Sequence, residues 1–295
     1  MDTMVKRAVT HNGSFHADDV FSAVVLMKIF PKLKIRRTRD KEEIAKAYIV
    51  FDIGRIYDPD KLRFDHHQPE APKRKNGIFY SSFGQIWQKY GVEYCGDAET
   101  AQIIDKKFVQ LVDTADSGIS VSNNCFDDIS PMNIDDIITI FEPVNFSDKK
   151  ESAETQFKKA IDWATTFLER MVIKTKDDIE RAKYVKEKVS NSPDERYVVL
   201  DETVFYDAMG VDFPKLLYAV YPNKANDTWS VRALRKSEDD FTPKQPMPEQ
   251  WAGKIEQDLV EITGVKDALF AHNNRFIAVA GSRDGALSLL KKALK

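Results

Sequence analysis

The chain has 295 residues, 42% of them hydrophobic and 31% charged, with 12 Gly, 12 Pro and a formal net charge of −3. This is the make-up of a globular protein with room for two cores, and it excludes a low-complexity or fibrous chain. The near-balanced charge excludes a strongly basic nucleic-acid-binding surface in the totals and leaves only local patches.

Cys95 and Cys125 form no CxxC and no disulfide framework, which suits a reducing cytosol and packing roles for both thiols. Met1 to Arg7 holds no apolar stretch of signal-peptide length. The most apolar segment, Val20 to Phe30, is too short for a bilayer and contains Lys28, so no membrane partner is expected and the location is expected to be cytoplasmic. The basic runs Lys32-Lys34-Arg36-Arg37-Arg39 and Lys73-Arg74-Lys75 read as solvated surface.

In chain order, Ala8-Val9-Thr10 ends a first strand, and the polar loop His11-Asn12-Gly13-Ser14-Phe15-His16-Ala17-Asp18-Asp19 follows at once. From Asp18 a densely apolar helix runs to Pro31. Lys34 to Thr38 predicts a second strand and Asp40 to Ala47 a charged helix. Tyr48 to Phe51 reads as a buried strand of a parallel sheet that delivers Asp52 to its carboxyl end. Lys61 to Phe64 leads into Asp65-His66-His67. Ser81 or Ser82 caps a helix, and another from Ala101 to Val112 ends in Asp113-Thr114-Ala115-Asp116.

Beyond Gly118 the pattern changes. Asn123 to Asp148 is loop-like around an apolar segment, Ile137 to Phe141, and Ser152 to Val189 is a long helix with apolar residues at spacings of three and four. A strand at Tyr197 to Leu200, a helix near Pro214 to Val220 and a strand at Trp229 to Leu234 come next. A proline-rich loop, paired strands around Asn273-Asn274 and a last helix from about Asp284 to Leu294 complete a separate α+β half. The expected organisation is a catalytic α/β domain over residues 1–150, a helical connector over 151–190 and an α+β substrate-binding domain over 191–295.

Polar clusters at successive strand ends mark the ligand-binding edge of an open α/β sheet. Together they offer His11, His16, Asp18, Asp19, Asp52, His66, His67, Asp113 and Asp116. Imidazoles mixed with carboxylates, and no thiolate, suit a divalent ion such as Mn²⁺, Mg²⁺, Co²⁺ or Zn²⁺. The number of groups suits two ions roughly 3.5–4 Å apart that activate a water and clamp a phosphate. Asp52, at a buried strand end, is the natural bridging carboxylate. These groups are too many for one ion, and their joint occurrence at successive strand ends carries the inference of a metal site.

The segments THNGSFHADDVFSA, FDIGRIYDPDKLRFDHHQ and VDTADSGI, with PEQWAG and FIAVAGSRDGAL later in the chain, closely resemble the melanocyte-proliferating-gene family. That family is related to the DHH-type phosphoesterases, which include RecJ-type exonucleases and manganese pyrophosphatases. The resemblance implies a DHH-type domain with a mainly parallel sheet flanked by helices, joined by a long helix to a smaller α+β domain. It implies a phosphodiesterase holding two Mn²⁺, acting as a 3′-to-5′ exonuclease on single-stranded RNA or DNA. A phosphatase for pyrophosphate or short oligonucleotides is the alternative, and a non-catalytic metal- or nucleotide-binding regulator is the reading from another class.

Residue by residue, the resemblance implies His11, His16, Asp18, Asp52, His66 and Asp116 as metal ligands. It sets His67 toward the scissile phosphate and makes Asp65 and Asp113 groups that orient ligands. Arg232, Ser282 and Arg283 would contact substrate phosphate, with Trp229 and Trp251 as stacking candidates. Ala278-Val279 departs from a family glycine pair, and Lys244 stands where arginine is expected. The implied partner is single-stranded nucleic acid or a short oligonucleotide; a homodimer is left open.

Overall fold

The structure is a computed structural model, and it describes residues 6–123, 129–144, 151–204, 209–237, 240 and 242–295. Cys125 lies outside the described residues. The chain divides into two compact units, residues 1–176 and 177–295. No helix among the described residues is long and apolar enough to cross a membrane.

The first unit runs β1 (Arg7–Thr10), α1 (Ala17–Ile29), β2 (Lys34–Arg37), α2 (Lys41–Lys46), β3 (Ile49–Phe51), β4 (Tyr57–Asp58) and β5 (Arg63–Phe64). Helices α3 (Ser82–Cys95), α4 (Ala98–Ile104), α5 (Gln110–Asp116), α6 (Ile134–Thr139) and α7 (Ala153–Ser190) follow, the last running past residue 176 into the second unit. The sheet order is β2-β1-β3-β5-β4, parallel except for the antiparallel edge strand β4. The three apolar residues of β3 are all buried, as a central parallel strand requires.

Helix α1 is apolar nearly all round and buried from Ala17 to Leu26, because it packs on α3 and shares one core with Ala8, Ile49, Phe51 and Phe64 of the sheet. Phe21 sits at the middle of that core, with Phe108 at 4.9 Å and Phe83 at 5.5 Å between ring centroids. From Ala98 to Asp116 the chain is helical throughout, with a π turn at Asp105–Val109. The N-terminal part of α7 adds Phe157, Ala160, Ile161, Ala164 and Leu168 to the same core.

Ser81 caps α3 by accepting the Gly84 N–H at 3.2 Å. A Cβ on Gly84 would overlap the buried Asp113 carboxylate. Alanine in a helix normally gains about 1 kcal/mol over glycine. Here Gly84→Ala is expected to lose roughly 1–3 kcal/mol instead, through overpacking. A lowered urea midpoint with an unchanged m-value checks this.

The second unit contains β6 (Tyr197–Val199), α8 (Met209–Asp212), β7 (Tyr218–Asn223) and β8 (Thr228–Ala233). It continues with α9 (Glu256–Thr263), β9 (Ala268–Ala271), β10 (Ile277–Ala280) and α10 (Arg283–Ala293). Its sheet order is β6-β7-β8-β10-β9, with only β6 and β7 parallel. The molecule is therefore α/β with two mixed sheets.

Two local expectations fail here. The helix expected near Pro214 to Val220 is a turn followed by strand β7, which pairs with β6 on one side and β8 on the other. Tyr218, Val220 and Tyr221 are aromatic or β-branched residues that suit a pleated surface buried on both faces. Helix α9 was not expected; its short polar sequence buries only Leu259 and Thr263. Trp251 is also unavailable for stacking, being 2% exposed in the core of this unit.

Candidate metal centre

Strands β1, β3 and β5 are adjacent and parallel, so the residues that follow them leave the same sheet edge. They are His11, Asp52 and the Asp65-His66-His67 run. The first turn of α1 brings Asp18 and Asp19 to this edge, and the end of α5 brings Asp116.

Asp52 stands between the groups. Its Oδ2 lies 2.9 Å from His11 Nε2, and its Oδ1 lies 3.2 Å from His66 Nε2. Its φ of 55° is left-handed, a region that Asp and Asn enter more readily than other side chains. His11 Nε2 is also 3.3 Å from Asp19 Oδ2. His66 Nε2 is 3.9 Å from Asp18 Oδ2, and its Nδ1 is 3.3 Å from Asp116 Oδ2. Among the described residues three overlapping sets could hold a cation: His11-Asp19-Asp52, Asp18-His66-Asp116 and Asp52-Asp65-His66-His67.

The donor set fits divalent cations on a second ground. Both oxygens of Asp18, Oδ2 of Asp19 and Oδ2 of Asp116 are buried and make no hydrogen bond. Buried carboxylate oxygens are normally satisfied, and leaving several together is costly without a compensating charge. Burial, then repulsion from Asp52 and Asp116, pushes Asp18 well above the usual carboxylate range. Burial and Asp52 push Asp19 up to about 8, and burial lifts Asp116 to about 6. Burial would raise Asp52 too, but its bonds to His11 and His66 outweigh that and hold it below its ordinary value. Burial would lower His11 and His66, yet the bond each makes to Asp52 carries both above the usual imidazole value.

These shifts have a defined sign. Asp19 and Asp116 hold protons in the folded chain that the unfolded chain releases near pH 4. The cation-free protein is therefore expected to lose stability as pH rises from roughly 4 toward 8, and the raised His11 and His66 act in the same sense. Urea midpoints in chelator at pH 5 and pH 8 test this, and saturating Mn²⁺ should reverse the order, because cation binding needs the deprotonated ligands.

The two adjacent histidines differ. The His66 side chain is 13% exposed and meets carboxylates at both ring nitrogens, whereas the His67 side chain is 52% exposed. His67 Nδ1 bonds Asp65 Oδ1 at 2.6 Å, and this contact raises its pKa. Asp65 also accepts the backbone N–H groups of His66, His67 and Arg55. Its oxygens are thus occupied, and it braces the loop while fixing the His67 ring.

The other expected residues stand further out. His16 is exposed, its ring centroid 6.2 Å from that of His11, and its backbone N–H donates to Asp19 Oδ1 at 3.0 Å. Asp19, rather than His16, accompanies His11 and Asp52 in this geometry. Asp113 accepts the Ser81 N–H at 3.0 Å, the Ser81 hydroxyl at 2.7 Å and the Arg74 guanidinium. It braces the start of α3, from which Gln85 donates to the Asp65 carbonyl at 3.0 Å.

In the second unit, Arg232 pairs across from Ile277 and Trp229 from Ala280, so β10 separates Arg232 from Ser282 and Arg283. Ser282 caps α10 through the Gly285 N–H and donates to Asp267 at 2.5 Å. The Arg283 guanidinium lies 5.9 Å from the centre of the Trp229 ring. Lys244 donates to the carbonyls of Phe213, Pro214 and Leu216, a structural clamp. Ala278 and Val279 are strand residues of β10. Cys95 is buried, its thiol pushed by burial up to about 11, which makes it inert.

Several supporting residues left no usable mark in the sequence. Arg37, expected on a solvated surface, is 3% exposed and donates to the Gly13 carbonyl at 2.6 Å. Arg74, expected in the same way, is 9% exposed between Asp113 and Asp105. Asp135 accepts the Ala17 N–H at 2.7 Å and Glu142 the Phe15 N–H at 3.1 Å, pinning the loop that carries His11. These contacts span 118 and 127 residues, beyond any local pattern.

Comparison with known proteins adds one decisive observation. The family model MYG1_exonuc, described as "Uncharacterised protein family (UPF0160)", matches residues 7–294. The chain belongs to this family. Within the MYG1 family, the chain is 29% identical to the MYG1 protein of Dictyostelium discoideum over 97% of its own length and 95% of that relative. It is 26% identical to the MYG1 exonuclease of Homo sapiens, over 98% of its own length and 85% of that protein. A crystal structure of an uncharacterized protein from Helicobacter pylori G27 aligns over 98% of the chain and 99% of its own, at a TM-score of 0.27 and 10% identity, a likeness that carries no argument. MYG1 membership agrees with the family resemblance of the three motifs that hold His11, Asp52, His66 and Asp116.

Proposed function

We propose that the chain is a metal-dependent phosphodiesterase of DHH type, a 3′-to-5′ exonuclease that releases nucleotides from single-stranded RNA or DNA. One observation carries the reading: the two oxygens of Asp52 face separate His/Asp sets beside buried carboxylate oxygens that make no hydrogen bond. The name of the Homo sapiens relative, MYG1 exonuclease, supports a nuclease-type hydrolase.

In this reading His11, Asp18, Asp19, His66 and Asp116 would hold divalent cations, and Asp52, which contacts both His11 and His66, would be shared between them. His16 stands at the exposed rim. When bound, such a cation pair neutralises phosphate charge and makes water a nucleophile near neutral pH. The chain's own groups do the rest. Asp65 holds His67 through Nδ1, which leaves Nε2 to face the phosphate, and the raised pKa of His67 favours the charged ring that developing negative charge needs. Arg37, Asp135 and Glu142 keep the ligand loop in place.

The paired histidines provide the test. His66→Ala is expected to weaken Mn²⁺ binding by about tenfold or more. His67→Ala should keep the cations, read by calorimetry, and lower kcat by roughly a hundredfold. Equal loss of metal from both variants defeats the division of roles. Turnover of RNA, single-stranded DNA and pyrophosphate side by side separates a nuclease from a small-substrate phosphatase.

A further inference from the structure

Away from the acidic cluster, one cavity in the second unit joins positive charge to an aromatic ring. Its volume is about 590 Å³, within the range of small-ligand sites, and Arg232, Arg235, Asp240, Thr242, Asn274 and Phe276 line it. Phe276 is half-buried, and its backbone carbonyl accepts the Ala233 N–H at 2.8 Å, so the ring is carried on a fixed strand edge. The His272 ring supports it at 4.5 Å between centroids. His272 is itself held in place, its Nδ1 accepting the Asn274 N–H at 3.0 Å.

The Arg232 guanidinium lies 5.8 Å from the centre of the Phe276 ring. Among the described residues Arg232 makes no side-chain hydrogen bond or ion pair. The acidic residue of the lining, Asp240, accepts the Thr242 N–H at 2.8 Å. A half-buried arginine with no carboxylate partner among the described residues, beside an aromatic face, suits a planar ring that carries an anion.

The geometry points to a nucleotide subsite here, with a base against Phe276, its flanking phosphate on Arg232 and the Asn274 amide at the base edge. The assignment rests on the phosphodiesterase reading and deepens it. It selects single-stranded nucleic acid over pyrophosphate, which has no base to stack. Arg232 thereby serves a different part of the substrate from Ser282 and Arg283, which lie at the other end of β10.

The test uses the full-length protein with Mn²⁺ and a fluorescein-labelled, phosphorothioate-linked RNA hexanucleotide, read by anisotropy. Phe276→Ala is expected to raise Kd about tenfold, the scale of one lost stacking contact, and Phe276→Trp to restore it. Arg232→Gln should raise Kd and reduce the salt slope by about one counterion. With cleavable RNA, the loss should fall on KM rather than kcat.

Wild-type protein that does not bind the hexanucleotide, or Kd values unmoved by both substitutions, overturns the subsite. If Phe276→Ala unfolds by circular dichroism, Arg232→Gln decides alone. Binding that depends on Phe276 without turnover supports the subsite and defeats the nuclease reading. Turnover indifferent to both substitutions defeats only the subsite.

Discussion

Asp52→Asn is expected to remove cation-dependent turnover by more than about a hundredfold while the protein stays folded. Groups that merely orient a ligand already cost ten- to a hundredfold when lost, and Asp52 would be shared by both cations. The substitution is clean for two reasons. Asn is isosteric and tolerates the left-handed backbone at this position. It also relieves the repulsion that Asp52 exerts on Asp18 and Asp19, which offsets part of the attraction to His11 and His66 that the cation-free variant gives up. The thermal upshift that Mn²⁺ gives the wild type, by mass action on the folded state, should vanish. An unaltered Mn²⁺ upshift, or turnover within a few-fold of wild type, would defeat the bridging assignment.

The second large effect is expected at Arg74, whose contacts include none of the proposed ligands. Arg74→Met should cost about 3–5 kcal/mol of stability, because removing one partner of a buried ion pair strands the other. Arg74 makes a bidentate pair with Asp105, at 2.8 and 2.9 Å, and also holds the fully buried Asp113. Burial already raises Asp113, and without Arg74 its folded-state pKa should climb further. Stability contributed by a raised acid is present at low pH and lost as pH rises. The deficit of the variant should therefore be large at pH 8 and shrink toward pH 5, read from urea midpoints. Adding Asp113→Asn should recover part of it, and a double-mutant cycle measures the coupling. Strict additivity of the two substitutions would show that the pair is not the cause.

This brace bears on the site through a traceable chain of contacts. Asp113 holds Ser81, Ser81 caps α3, and Gln85 in the first turn of α3 holds the Asp65 carbonyl. Asp65 in turn fixes His67. Loosening Arg74 should thus lower activity as well as stability.

Much of the first unit was legible from local pattern. Short β-prone runs ended in His11, Asp52 and Asp65-His66-His67, and a parallel sheet sends such ends to one edge. Ser81 was readable as a cap because its oxygen satisfies a free helix N–H whatever the surrounding fold. The segment from Pro214 to Val220 was misread because a short apolar run carries no period that separates helix from strand, and two flanking strands decided the matter.

The sequence by itself determined the alternation of strands and helices and the supply of imidazoles and carboxylates, because both follow from neighbours a few residues apart. Only the tertiary structure decided which of them meet. It set Asp19 beside His11 and Asp52, left His16 exposed, and parted Arg232 from Ser282 and Arg283 along β10. It also buried Arg37 and Arg74, whose charges in a basic run looked solvated. The reason is physical: a charge is buried only when a distant group meets it, and the partners of these arginines come from other parts of the fold.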